Sequence, residues 1–228
     1  MNHEPYADVR DMYLAHSMFR REIGLAPDVV SGVAAGDAER ARIVTEHLDL
    51  VDTVLRHHHH GEDEHLWPRL ITRGGPEAAA VVRVMEDQHE AIDKATVEVR
   101  DRAAAWRADA DPQEGEALAG ALRRLLDLLV EHLAVEEEQA LPLIERHITA
   151  AEWERMVAEG GAGIAPEQMA LIFGMMTYEG DPDTIRDIIA TMPPEVRPVI
   201  ADLAAQAYAR HALQVYGTST PPRTEMPR

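Results

Sequence analysis

His57-His58-His59-His60-Gly61-Glu62-Asp63-Glu64-His65-Leu66-Trp67-Pro68 is the stretch to read first, because a fainter copy of it recurs as His132-Leu133-Ala134-Val135-Glu136-Glu137-Glu138-Gln139-Ala140-Leu141-Pro142. In each, a histidine is followed at +4 by a glutamate and at +10 by a proline, so His58/Glu62/Pro68 and His132/Glu136/Pro142 share one ruler. Residues four apart on a helix lie one turn apart on the same face, and each pair can aim an imidazole and a carboxylate at one point. That is half a metal site. His16 lies 42 residues before His58 and His89 lies 43 before His132, so a lone histidine followed by His-x3-Glu occurs twice. The repeat predicts two helical hairpins about a pseudo-twofold axis, with His16, His58, Glu62, His89, His132 and Glu136 converging where bundles build paired metals.

The composition supports that reading. The chain has 228 residues, 22 Lys+Arg against 41 Asp+Glu, a formal charge of −19 and no cysteine. A charge of that sign repels nucleic acid and anionic membranes, so neither is expected as a partner. The lack of cysteine excludes disulfides, iron–sulfur clusters and thiolate zinc. Neither a basic-then-apolar leader nor a membrane-length apolar run is evident, so a soluble cytoplasmic protein is expected.

Apolar residues recur at three- and four-residue spacing and alternating strand patterns are missing, which predicts an all-α protein. The expected helices are Tyr6 to Gly24, extended or kinked around Pro27; a second from the N-cap Asp37, ended by Pro68 and Gly74-Gly75-Pro76; a third over Pro76 to Ala108; and a fourth over Glu114 to Arg146. These make residues 1–148 an antiparallel up-down-up-down four-helix bundle. Residues 149–217 are expected to form further helices packing on it, after a break at Gly160-Gly161-Ala162-Gly163, and 218–228 a disordered tail.

A core-edge histidine with a glutamate supporting a solvent-facing helix is the plain alternative for either pair alone. Two pairs on one ruler, each preceded by an inward histidine, favour the metal. Burying these groups without partners costs several kcal/mol per charge, a cost that a dinuclear cation removes. Imidazoles combined with two carboxylates suit first-row metals about 3.5 Å apart.

These residues, with the flanking Leu66-Trp67-Pro68 and Ala140-Leu141-Pro142, resemble the hemerythrin-like, or HHE cation-binding, family over roughly residues 5–148. The resemblance implies two iron ions with an oxo or hydroxo bridge, Glu62 and Glu136 bridging, and His16, His58, His89 and His132 terminal. Oxygen-carrying hemerythrins place two histidines one turn apart on the third helix, whereas here the residue at +4 from His89 is Asp93. A missing nitrogen ligand leaves an open or water-filled position and favours peroxide or nitric oxide chemistry over oxygen carriage.

The neighbours are read more plainly. His57, His59 and His60 are expected in solvent or behind the ligands, His65 capping or orienting Glu62, and His47 in the core or an access channel. Tyr13 is a core-edge residue, or alternatively a hydroxyl near the metals. Glu86 or Asp93 could accept the free imidazole N–H of His89, with Arg20 and Arg21 balancing their charge. The methionines between 169 and 176 are packing contacts. The expected function is handling of O2, NO or H2O2, with an iron or oxygen sensor acting through the C-terminal helices, or a metal-free scaffold, as the alternatives.

Overall fold

A computed structural model of the chain describes residues 4–160 and 164–224. The described residues are helical and contain no strand, and an isolated bridge pairs Tyr6 with Thr149. The helices are α1 (Arg10–Ser31), α2 (Ala38–Gly61), α3 (Trp67–Trp106), α4 (Pro112–Val135), α5 (Leu141–His147), α6 (Ala150–Gly160), α7 (Pro166–Thr177), α8 (Pro182–Thr191) and α9 (Ile200–Tyr216). None among the described residues is long and apolar enough to cross a membrane.

Side-chain chemistry at the ends explains several boundaries. Asp37 accepts from the Arg40 N–H, Asp111 from the Gln113 and Glu114 N–H groups, and Asp181 from the Thr184 N–H. Each satisfies donors that a first turn leaves without partners. Pro112, Pro166 and Pro182 follow at the first helical positions, where the missing N–H costs nothing. α1 runs through Pro27 to Ser31 and is capped at Gly32, in line with the expected extension around Pro27.

One boundary differs from expectation. Pro68 does not end the second helix. A π-helical turn, Glu62–Leu66, links α2 to α3, with the Trp67 N–H donating to the Glu62 carbonyl. A matching turn, Glu136–Ala140, links α4 to α5 ahead of Pro142, and there Leu141 N–H donates to the Glu136 carbonyl. A proline lacks the N–H for the carbonyl four residues back and its ring presses on that carbonyl. Widening the preceding turn to i→i+5 bonding lets the helix pass the proline. The break comes at Gly75, within the expected Gly74-Gly75-Pro76 cluster; its φ of 64° and ψ of −145° suit glycine, so α3 is two helical pieces meeting there.

The described chain divides into two compact units. The first comprises Met1–Val9 and Ile23–Ala162. Its core is built from α2 (Val44, Leu48, Val51, Leu55), α3 (Val82, Met85, Ile92) and α4 (Leu118, Leu122, Leu125, Leu129), all buried at helical spacing. Burying one such side chain fully contributes about 1.5–3 kcal/mol. α3 packs on α4, where Gly115 is required: a Cβ there would stand 2.9 Å from the Trp106 indole nitrogen. α6 is tied to α3 by Arg73, which donates to both oxygens of Glu152 and to the His147 carbonyl. The glycine break expected after α6 lies at 161–163, outside the described residues.

The second unit comprises Arg10–Glu22 of α1 and Gly163–Arg228. α7 crosses α9 closely at Gly174, where a Cβ would lie 2.2 Å from the Ala204 carbonyl oxygen. Phe173, Ile200 and Ala204 form an apolar cluster with Ile188, Ile189, Met192 and Val196. Met175 is buried, as a packing methionine should be. At its polar centre Arg21 donates to Glu22, Tyr208, Glu179 and the Met175 carbonyl. The Tyr208 and Tyr216 hydroxyls both donate to Glu22. Arg21 is thus engaged here, and not with Glu86 or Asp93 as the sequence suggested. Residues 218–224, expected to be disordered, are held: Thr224 N–H donates to Glu179 at 2.8 Å, and the Tyr178 hydroxyl to the Pro221 carbonyl at 2.9 Å. The remainder of that expected tail, 225–228, lies outside the described residues.

Candidate metal centre

The last turn of α2 and the π-turn after it present His58, His59 and Glu62, while α3 supplies His89 and α4 with its π-turn supplies His132 and Glu136. All of these belong to the first unit. His59, Glu62, His89, His132 and Glu136 are buried and His58 is nearly so. The Glu62 carboxylate stands between two imidazoles: Oε1 is 3.2 Å from His58 Nε2 and Oε2 is 3.4 Å from His89 Nε2. His132 Nε2 lies 3.7 Å from Glu136 Oε2.

Donor atoms of His59, Glu62, His89 and His132 all fall within 4.8 Å of one another, and donors of His58 and Glu136 lie within the same distance of each other. Bonds of about 2.1 Å to one first-row ion put its donors at most about 4.2 Å apart. Closing the first group around a cation therefore takes side-chain shifts of under about an ångström.

The electrostatics call for positive charge. Neither Glu62 oxygen nor His89 Nε2 completes a hydrogen bond, although all three are buried. Burial first, then the charges of Glu136 and Asp63, hold the Glu62 carboxyl well above its ordinary range. Groups left in that condition cost free energy unless neutralised. A cation held by the imidazoles would supply the compensation. The donor set fits a metal.

Two of these rings are held from behind. His89 Nδ1 lies 2.8 Å from Asp63 Oδ1, and His132 Nδ1 lies 3.2 Å from Gln88 Oε1. A carboxylate at the far nitrogen of a ligating imidazole fixes its tautomer and raises its basicity. Sequence reasoning had looked for this carboxylate at Glu86 or Asp93, and both are exposed. The sequence signal pointing to Asp63 was its place beside Glu62.

Of the other neighbours, His60 is exposed beside Glu64, and His65 pairs with Glu159 at 3.1 Å and so does not orient Glu62. His47 is a buried residue. Tyr13 is 37 % exposed. His16 is buried on the part of α1 that belongs to the second unit. His59, expected in solvent or behind the ligands, is 3 % exposed and stands within the donor group.

A family model, the hemerythrin HHE cation binding domain, matches residues 7–144. No curated protein and no solved structure matches the chain. Since the match takes in more than half of the chain and every donor described above, the protein belongs to the hemerythrin HHE cation-binding domain family.

Proposed function

We propose that this protein is a non-haem di-iron protein that binds O2 or NO, or decomposes peroxide, at a dinuclear site whose ligands include His16, His58, Glu62, His89, His132 and Glu136. In this reading α1, α2, α3 beyond Gly75 and α4 form an antiparallel up-down-up-down bundle. The observation that carries the reading is Glu62, buried with one oxygen turned to His58 and the other to His89. Glu62 and Glu136, each one turn after a histidine, would hold the metal pair through their carboxylates. His16 is assigned on spacing alone, standing 42 residues before His58 as His89 stands 43 before His132.

When bound, a pair of iron ions with an oxo or hydroxo bridge supplies reversible binding of small diatomic ligands and one-electron redox chemistry. The chain's own part is to hold and shield. Asp63 fixes the His89 ring and Gln88 the His132 ring. Buried Leu66, Trp67, Leu129 and Leu133 lie within one turn of the ligands along the helices and keep bulk water from those positions. Small ligands fit such a site, and no nucleic acid or membrane partner is proposed.

The test is to load the purified protein anaerobically with iron(II) and record the visible spectrum on adding O2, NO, azide or H2O2, with peroxide consumption followed separately. The expected result is a new oxygen-to-iron or nitrosyl band, or loss of peroxide. No spectral change and no consumption would refute it.

A second reading, an iron or oxygen sensor, is favoured by one observation. The segment of α1 that carries His16 also carries Arg21 and Glu22, which bind the C-terminal helices. Metal occupancy at His16 would then bear on residues 164–224. Equal protease cleavage of that region with and without iron would refute it.

A further inference from the structure

We propose that His59 is itself a metal ligand, the third imidazole at one of two chemically unequal metal positions. The inference rests on the metal-binding reading above and deepens it. Successive helix residues are about 100° apart, so Glu62 falls about 40° round from His58 on one side and about 60° from His59 on the other. Glu62 therefore lies between the two, and both imidazoles reach the space beside its carboxylate. His59 is the more buried of the pair, while His57 and His60 on either side face solvent.

The ring geometry agrees. His59 stacks on His89 with centroids 4.1 Å apart and planes 13° apart, and meets His132 edge-on at 5.0 Å. His89 and His132 are 4.7 Å apart. Three rings from three helices thus surround one point, with Glu62 as the fourth donor. A single stacked histidine filling core space would not need to bring a nitrogen within reach of all three other donors.

The second half of the chain lacks this device. Leu133 follows His132 as His59 follows His58, and it is wholly buried. The position that holds His59, His89, His132 and Glu62 is consequently richer in nitrogen than the one that holds His58 and Glu136. A nitrogen-rich position prefers iron(II), cobalt(II) or zinc(II) to harder ions. Asp93, at the +4 position from His89, is exposed, so the nitrogen missing from the third helix is supplied by the second.

The test titrates the full-length apoprotein with cobalt(II) alone and follows both the number of ions bound and the visible ligand-field bands. His59→Leu copies the residue that the other half tolerates at this place, and His57→Ala serves as the control. The expected result is two ions for the wild type and His57→Ala. His59→Leu should hold one ion as before, bind the second at least about a hundredfold more weakly, and show altered bands. His59→Ala should recover the second ion when free imidazole is added, which keeps the test open if His59→Leu folds poorly. Unchanged stoichiometry, affinity and bands in both His59 variants would overturn the assignment of His59 alone. A wild type that binds no cobalt would overturn the metal reading with it.

Discussion

Glu62 is the residue whose state depends most on what the centre holds. Without a cation its carboxyl keeps its proton to higher pH than usual, because of burial and then the charges of Glu136 and Asp63. A folded-state value raised above the unfolded one stabilises the fold at low pH, and that contribution is lost as pH rises through the folded value. Chelator-treated protein should accordingly melt at lower temperature at pH 7.5 than at pH 5 from this group, while metal-loaded protein should not, as paired thermal scans would register. Asp63→Ala should weaken metal binding roughly 10–100-fold by freeing the His89 ring, whereas His65→Ala should leave it unchanged. Competition with a coloured chelator measures both.

Among the elements, the two π-turns set what was readable beforehand. The repeat from His58 to Pro68 and from His132 to Pro142 was plain in the sequence, as were the helices and the inward histidines, because helical spacing fixes which residues share a face. What escaped was how each helix passes its proline. Pro68 was read as a terminator although the fourth helix was expected to pass Pro142, and a widened turn leaves no mark in residue type. His59 was expected in solvent or behind the ligands, since neighbours on a helix point about 100° apart and His58 already faced inward. The start of α3 contributes another check. Hydrogen bonding from Arg73 pulls the Glu152 carboxyl from 4.5 to about 2, against a smaller effect of burial, and holds α6 on α3. A lowered folded value gives stability that is present above pH 4.5 and lost as pH falls towards 2. Hydrogen exchange of α6 should accelerate across that window in the wild type. Glu152→Gln should already exchange fast at neutral pH.

At the scale of the whole molecule, the second unit has its polar centre in a short stretch from the other end of the chain. Arg21 offsets two buried carboxylates, Glu22 and Glu179, at 2.8 Å and 2.6 Å. Arg21→Met leaves both without their cation and should cost about 3–5 kcal/mol, seen as a lower midpoint in urea denaturation. Burial first, and then the Glu22 charge, raise the Tyr208 and Tyr216 hydroxyls above their ordinary range, so both remain donors to Glu22 at neutral pH. Because Glu22 and Tyr208 are separated by 186 residues, the two partners leave the ribosome at different times. At about 5–20 residues per second the interval is roughly 10–40 s. For that time the nascent chain carries an arginine and a glutamate destined for the interior with most of their partners not yet made, so the unit closes only once the segment through Tyr216 has emerged.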